Sequence, residues 1–353
     1  MKVFTDFHHS SLLNSLIMLF EGRLGGQVYR PIGMEWAEKG YWNIYDHPAT
    51  QLQYLTTDQG YRPIDGTPPL NLIQEVINFP PADEKLYLCR DIESDRLNKA
   101  IDFATFCDMD IDIVIASVPQ HVEPFKKLIR EHMPKAKLIF QIGNAWTTEA
   151  FDAPNVMASA KIYNVPENIN FVEYHQEFDL NIFRPAVPHY TSNRVYSFIN
   201  VLQAFPDWPI FQELERAMPD WQWRAFGGQC RDGAKNGSIE LAQGMRFAKF
   251  IWQVKAGGDG YGHVLFNSAA VGRPIIVKKS YYAGKLGEKL MIDGQTCIDI
   301  DNKSTHQIAE SIQHFSQPGN YEAMCANVRA NFQEQVNFDT DLEKIKTFLE
   351  RLR

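Results

Sequence analysis

Short apolar runs alternate along the chain with longer stretches in which apolar residues recur every three or four positions. The first pattern fits buried strands and the second amphipathic helices. Their alternation predicts an α/β fold with parallel sheets joined by right-handed crossovers. In the first half, residues 3–5 read as a strand and 10–23 as a helix ending before Gly25-Gly26. Residues 85–89 read as a strand and 95–106 as a helix. The clearest unit is strand 112–117, helix 123–132 and strand 138–142. Residues 30–81 break the pattern. They are rich in aromatics, carry the turn signals Asp65-Gly66 and Pro68-Pro69, and read as an irregular insertion.

Around 179–193 two prolines and the loss of helical period mark a linker. A second alternating set follows: strand 195–199, helix 209–218, strand 222–226, helix 238–245, and strands 247–254 and 274–277. The last element, 341–352, spaces Leu342, Ile345, Leu349 and Leu352 on one helix face, and Thr340 with Glu343 supplies a capping box. The pattern predicts two doubly wound, Rossmann-like domains, 1–185 and 186–337, with a helix at 338–353 packing back across them. Such folds bind ligands at the carboxyl ends of their strands, hence in the cleft between the domains.

At 353 residues, 44% hydrophobic and 22% charged, the chain is too apolar to be disordered and long enough for two sizeable cores. No apolar run approaches the roughly 18 residues of a membrane-spanning helix, so no integral membrane segment is expected. The opening Met1-Lys2-Val3-Phe4-Thr5-Asp6 reaches an acid and two histidines before any long apolar stretch, unlike a secretory signal. Five scattered cysteines without metal-ligand spacing read as buried thiols in a reducing, cytoplasmic compartment. The net charge of −8 is uneven. Residues 1–185 hold 16 Lys/Arg against 25 Asp/Glu, or −9, and residues 186–353 hold 19 against 18, or +1. The acidic half is a poor general clamp for a phosphate backbone, and the near-neutral half is the better host for an anionic ligand.

The chemistry concentrates in residues 255–277, Lys255-Ala-Gly-Gly258-Asp259-Gly260-Tyr261-Gly262-His263 through Asn267-Ser268, Gly272 and Pro274. A glycine-rich loop leaves a strand, opens a helix, and Gly-x-Pro leads into the next strand. Glycines let backbone N–H groups approach a ligand and a helix N-terminus favours an anion, so a diphosphate is the natural guest. Asp259 and Asn267, eight apart, span about two helical turns and can line one groove that holds sugar hydroxyls.

This segment resembles the GT-B glycosyltransferases, specifically the retaining family four with its Glu-x7-Glu signature. Asp259, Gly260-Tyr261-Gly262, Asn267, Gly272 and Pro274 fall at the signature's spacing. Asp179…Phe183-Arg-Pro185 looks like the family's end to its first domain, and Asp293-Gly294-Gln295-Thr296 like its later Asp-Gly-x-Thr-Gly turn, with Cys297 in place of the last glycine. The resemblance implies a UDP- or GDP-sugar donor as substrate and no required cofactor. It implies that Asp259 touches the transferred sugar and Asn267 the ribose, with Gly258, Gly260, Tyr261, Gly262 and Ser268 around the donor. Both signature glutamates are changed, and Asn267 meets a diol as a neutral partner. The family's Arg…Lys pair is absent, Asn200 and Gln203 lying nearby, so phosphate charge falls to Arg231, Lys255, Lys278 or Lys279. Gly143-Asn144 stands where many relatives carry His-Asp, which places Asn144 on the acceptor side.

The resemblance implies front-face transfer with retention. Inversion needs a base, for which His8 and His9 are the candidates, while His263 borders phosphate or sugar. Trp36, Tyr41, Trp42, Tyr45 and Tyr54 read either as an acceptor platform or as a satellite core. Asp108-x-Asp110-x-Asp112 mimics a metal loop but lacks the glycine and glutamate of a calcium site, so no metal is assigned. Residues 6–36 also resemble glycosyltransferases of tailed bacteriophages, which makes a hydroxymethylated base in DNA the leading acceptor. Readings left open are a transferase building a surface glycan or glycolipid, a GT-B sugar-nucleotide epimerase, and a non-catalytic binder.

Overall fold

The computed structural model describes residues 1–6, 9–32, 35–41, 74–78, 86–91, 96–143, 152–188, 191–235 and 237–353. They form two compact units, Met1–Phe178 with Phe338–Arg353, and Asp179–Asn337.

The first unit is built on nine strands: Lys2–Thr5 (β1), Gln27–Pro31 (β2), Gln74–Asn78 (β3), Leu86–Asp91 (β4), Arg96–Ile101 (β5), Ile113–Ala116 (β6), Lys137–Ile142 (β7), Asn155–Ala158 (β8) and Asn170–Glu173 (β9). Their order is β3-β4-β5-β2-β1-β6-β7-β8-β9. From β5 to β9 all neighbours are parallel, and β3 and β4 add an antiparallel edge. The central strand β6 is apolar and buried throughout, and in β1 only Lys2 is not buried, as expected of a parallel sheet covered on both faces. The predicted helix 10–23 is an α-helix over Ser10–Ile17 that continues as a π-helical turn, Met18–Arg23. It stops at Gly25 (φ +65°) and at Gly26, where a Cβ would lie 2.7 Å from the Met1 carbonyl oxygen.

Three predicted elements need correction. Residues 96–101 are strand, and the helix runs instead over Phe103–Asp108, N-capped by Asp102, which accepts from the Thr105 N–H at 2.7 Å. The period-two signal was obscured because Leu97 points to solvent while Asn98 is buried, accepting from Arg30 Nε at 2.7 Å. The terminal helix starts at Phe338, which puts Thr340 inside its first turn and rules out the capping box. The helix belongs to the first unit, where Ile345 and Phe348 enter the core. Asp341 anchors it through the His175 N–H (3.0 Å) and Nδ1 (2.7 Å). The predicted strand 247–254 is confined to Phe250–Trp252, because Phe247 ends the preceding helix, Gly237–Phe247. Residues 42–73, most of the predicted insertion, lie outside the described residues.

The second unit has five parallel strands, Arg194–Ser197 (β10), Gln222–Ala225 (β11), Phe250–Trp252 (β12), Ile275–Val277 (β13) and Cys297–Asp299 (β14), in the order β11-β10-β12-β13-β14. Phe211 packs edge-on against Trp223 (5.1 Å) and Trp252 (5.4 Å) at the centre of its core. The winding direction reverses between β10 and β12. Doubly wound sheets bind ligands beyond the carboxyl ends of the strands at such a switch point. No described helix of the chain is long and apolar enough to cross a membrane.

Candidate nucleotide-sugar site

The glycine-rich segment leaves the carboxyl end of β12, at this switch point. Lys255 turns the chain, its carbonyl accepting from the Gly258 N–H at 2.8 Å. Gly258 has φ +61°, and a Cβ there would lie 2.2 Å from the Tyr281 carbonyl oxygen, so only glycine fits. Gly260, Tyr261 and Gly262 then lead into the helix His263–Val271. Gly262 is the N-cap and makes no side-chain cap, and a helix N-terminus favours an anion. The helix ends at Gly272 (φ +79°), where the Arg273 N–H returns to the Ser268 carbonyl at 2.9 Å. The glycine of Gly-x-Pro therefore makes a left-handed helix terminus that turns the chain into β13.

Asp259 is held on both carboxylate oxygens. Lys255 Nζ pairs with Oδ1. Gln253 Nε2 donates to Oδ2 at 3.1 Å and Tyr282 OH reaches it at 3.4 Å, while Gln253 Nε2 also lies 2.9 Å from Tyr282 OH. Burial, reinforced by the Asp259 charge, raises the Tyr282 phenol far above its ordinary range, so it stays a donor. Lys285 Nζ donates to the Gly257 carbonyl. Burial lowers its pKa, and the neighbouring Lys255 charge acts in the same direction against the pull of Asp259.

Asn267 lies in the helix, 5% exposed, and its Oδ1 has no hydrogen-bond partner among the described residues; the same holds for Gln253 Oε1. A buried acceptor left unpaired costs about 1–3 kcal/mol, which marks both as places for an arriving O–H or N–H. Asp259 sits in the loop before the helix and Asn267 within it.

Other predicted site residues are spent on the fold. Tyr261 stacks on Phe266 at 4.3 Å, with the His263 ring edge-on at 4.9 Å. The Ser268 hydroxyl bonds back to the Val264 carbonyl inside the helix. Arg231 is paired with Glu215 (2.7 Å) and Asp232 (3.1 Å), and Lys278 with the buried Asp207 (2.6 Å). Asn200 closes its own loop, accepting from the Gly228 N–H at 2.7 Å. In the Asp293–Thr296 turn, the Thr296 hydroxyl bonds the Ile292 N–H and the Leu290 carbonyl, each at 2.7 Å, so that motif is structural.

In the first unit, Trp36 is fully buried, stacked on Phe4 at 4.9 Å and edge-on to Phe103 and Phe106. It is a core residue and no acceptor platform. His9 caps the Ser10–Ile17 helix through the Ser11 N–H at 3.2 Å. His8, Trp42 and Asn144 lie outside the described residues. In the acidic triplet, Asp112 accepts from the Lys2 N–H at 2.7 Å. Sequence reasoning missed Gln253, Tyr282 and Lys285. The usable signal was position, since a polar residue directly after an apolar strand end of such a sheet faces the ligand side. It also missed the buried pair at the ends of β1 and β6, where Asp6 Oδ2 meets His121 Nδ1 (2.7 Å) and the Ser117 N–H (2.8 Å).

No protein-family model matches the chain, and no curated protein matches it in sequence. Solved structures match in shape. HepE of Anabaena, in complex with UDP-glucose, superposes with a TM-score of 0.59 over 100% of both chains at 11% identity. TarM of S. aureus, solved with UDP among its ligands, gives 0.58 over 98% of this chain and 99% of that one, also at 11% identity. An alpha-glucosyltransferase in complex with UDP and a 13-mer DNA containing an HMU base gives 0.58 over 99% and 100%, at 8% identity. At these identities the likeness is one of fold, and with the two parallel-sheet units it shows that the chain has the GT-B fold of such glycosyltransferases.

Proposed function

We propose that this chain is a glycosyltransferase that moves a sugar from a UDP- or GDP-sugar to a hydroxyl acceptor with retention of configuration. The observation that carries the reading is the Asp259 carboxylate, fixed by Gln253, Tyr282 and Lys255 at a glycine loop, with the unpaired buried Asn267 acceptor eight residues on. Asp259 bonds hydroxyls of the transferred sugar and Asn267 Oδ1 accepts from the ribose diol. The bond from the anomeric carbon to the diphosphate oxygen breaks, and the acceptor oxygen bonds that carbon from the same face. The acceptor proton passes to the departing phosphate. The first-turn amides of His263–Val271, Lys255 and Lys285 stabilise the charge that develops there, the kind of contribution that dominates such reactions.

As acceptor we propose the hydroxymethyl group of a modified pyrimidine in DNA. The reading is supported by the resemblance of residues 6–36 to phage enzymes and by the fold shared with the DNA-bound alpha-glucosyltransferase. The base must leave the stack to be reached. The five thiols carry no disulfide, which fits a cytoplasmic setting. The test is mass spectrometry of nucleosides after incubating the protein with UDP- or GDP-sugars and hydroxymethylated DNA. The expected result is one added sugar, lost in Asp259→Ala. Release of nucleotide at a rate independent of every hydroxyl acceptor offered, DNA or glycan, overturns the transferase reading. Transfer to a glycan but not to DNA overturns the acceptor alone.

A further inference from the structure

We infer that Lys255 is shared between Asp259 and the donor's diphosphate, so that phosphate binding releases Asp259 Oδ1 to the sugar, with Lys285 as a second phosphate ligand. The inference rests on the donor-site reading above and states how that site is coupled.

The two oxygens of Asp259 are held in different ways. Oδ2 meets two buried neutral donors, Gln253 and Tyr282, which lie 2.9 Å from one another and are fixed by β12 and the turn after β13. Oδ1 meets an ammonium on a flexible stem, with a third of the Lys255 side chain exposed. Such a lysine is a mobile point charge, able to change partner without moving the backbone. A diphosphate carries at least two negative charges against one on Asp259, and so attracts the ammonium more strongly at equal distance. Lys285 donates to the Gly257 carbonyl, its Nζ 2.7 Å from where a Gly258 Cβ would be. Arg231 and Lys278 are paired with carboxylates outside the glycine loop, whereas Lys255 pairs with the loop's own Asp259 and Lys285 bonds its Gly257 carbonyl. The carboxylate that binds sugar is thereby engaged with lysine until the nucleotide's phosphates have docked.

The test is calorimetric titration of UDP and GDP into the full-length protein and its Lys255→Met, Lys285→Met, Asp259→Asn and Lys255→Met/Asp259→Asn variants. Each lysine variant is expected to bind the diphosphate about tenfold or more weakly, the range of one lost charge-assisted contact, while binding the plain nucleoside equally well. Asp259→Asn is expected to bind it several-fold more tightly, a gain that disappears in the Lys255→Met background. An equal gain in both backgrounds means simple charge repulsion and overturns the shared-lysine inference, as does no gain at all. Failure of the wild-type protein to bind either nucleotide overturns the donor-site reading itself.

Discussion

Gly257 and Gly258 offer an internal control on the loop geometry. Both have positive φ, +80° and +61°, so an alanine at either pays the left-handed penalty of about 1–2 kcal/mol. Their surroundings differ. Nothing lies within 4 Å of a Cβ at Gly257, whereas a Cβ at Gly258 falls 2.2 Å from the Tyr281 carbonyl oxygen, 1.2 Å inside the 3.4 Å at which ordinary contact begins. That obstacle is backbone and cannot swing aside, so Gly258→Ala adds an overpacking cost of about 1–3 kcal/mol. Relief requires the segment carrying Tyr281 and Tyr282 to move, and Tyr282 OH is one of the groups on Asp259. The expected result in urea denaturation is a loss for Gly258→Ala exceeding that of Gly257→Ala by about 1–3 kcal/mol. Nucleoside diphosphate affinity falls in the first variant alone. Equal stabilities within about 0.5 kcal/mol and equal affinities would refute the reasoning.

The remaining expectations concern the rest of the fold. Burial pushes the Asp341 carboxyl up, but hydrogen bonds from His175 and Lys344 outweigh it and hold the pKa below the usual range. Its contribution is therefore present above about pH 4 and lost as pH falls through the folded value. The stability gap between wild type and Asp341→Asn should stay constant from pH 7 to about pH 4 and narrow as denaturation is repeated at lower pH. Trp36→Ala should cost about 3–5 kcal/mol as a core truncation, while leaving nucleotide affinity, measured by titration, unchanged. Burial, with Asp293 next, pushes the Cys297 thiol up to about 12, so it should resist alkylation in the native protein and react once unfolded, as read by mass spectrometry. Gly272→Ala meets the flexible Arg329 side chain at 2.7 Å rather than backbone, and should be milder in denaturation than Gly258→Ala despite its similar φ.

Much of the architecture was legible because parallel strands buried on both faces read as short apolar runs. The unit from β6 through the helix Val122–His132 to β7 is within a residue or so of its prediction. The signal failed where a strand buries polar groups. In β5, Asn98 is inside and Leu97 outside, the reverse of the pattern that hydropathy reads. The glycine loop was legible because backbone conformation constrains it, and glycine at Gly258 and Gly272 reports positive φ directly. Its chemistry was only half legible. Charge is visible in a sequence but pairing is not, so nothing local showed that Arg231 meets Glu215 and Asp232, Lys278 meets Asp207, and Lys255 meets the loop's own Asp259. Gln253 and Tyr282 reach Asp259 from six and 23 residues away, and no local motif encodes a meeting set by β12 and β13 lying side by side.

The most direct measurement is a thermal-shift series of UDP, GDP and their sugars against wild-type protein and Lys255→Met, with the matching nucleosides as controls. Ligand at 100 times its dissociation constant adds about 2.7 kcal/mol of stability. The expected result is a clear upward shift in Tm with one nucleoside diphosphate, smaller in Lys255→Met, and a smaller shift with the nucleoside that is the same in both proteins. No shift with any nucleotide at millimolar concentration would contradict the assignment of the Lys255–Asn267 segment as a donor site.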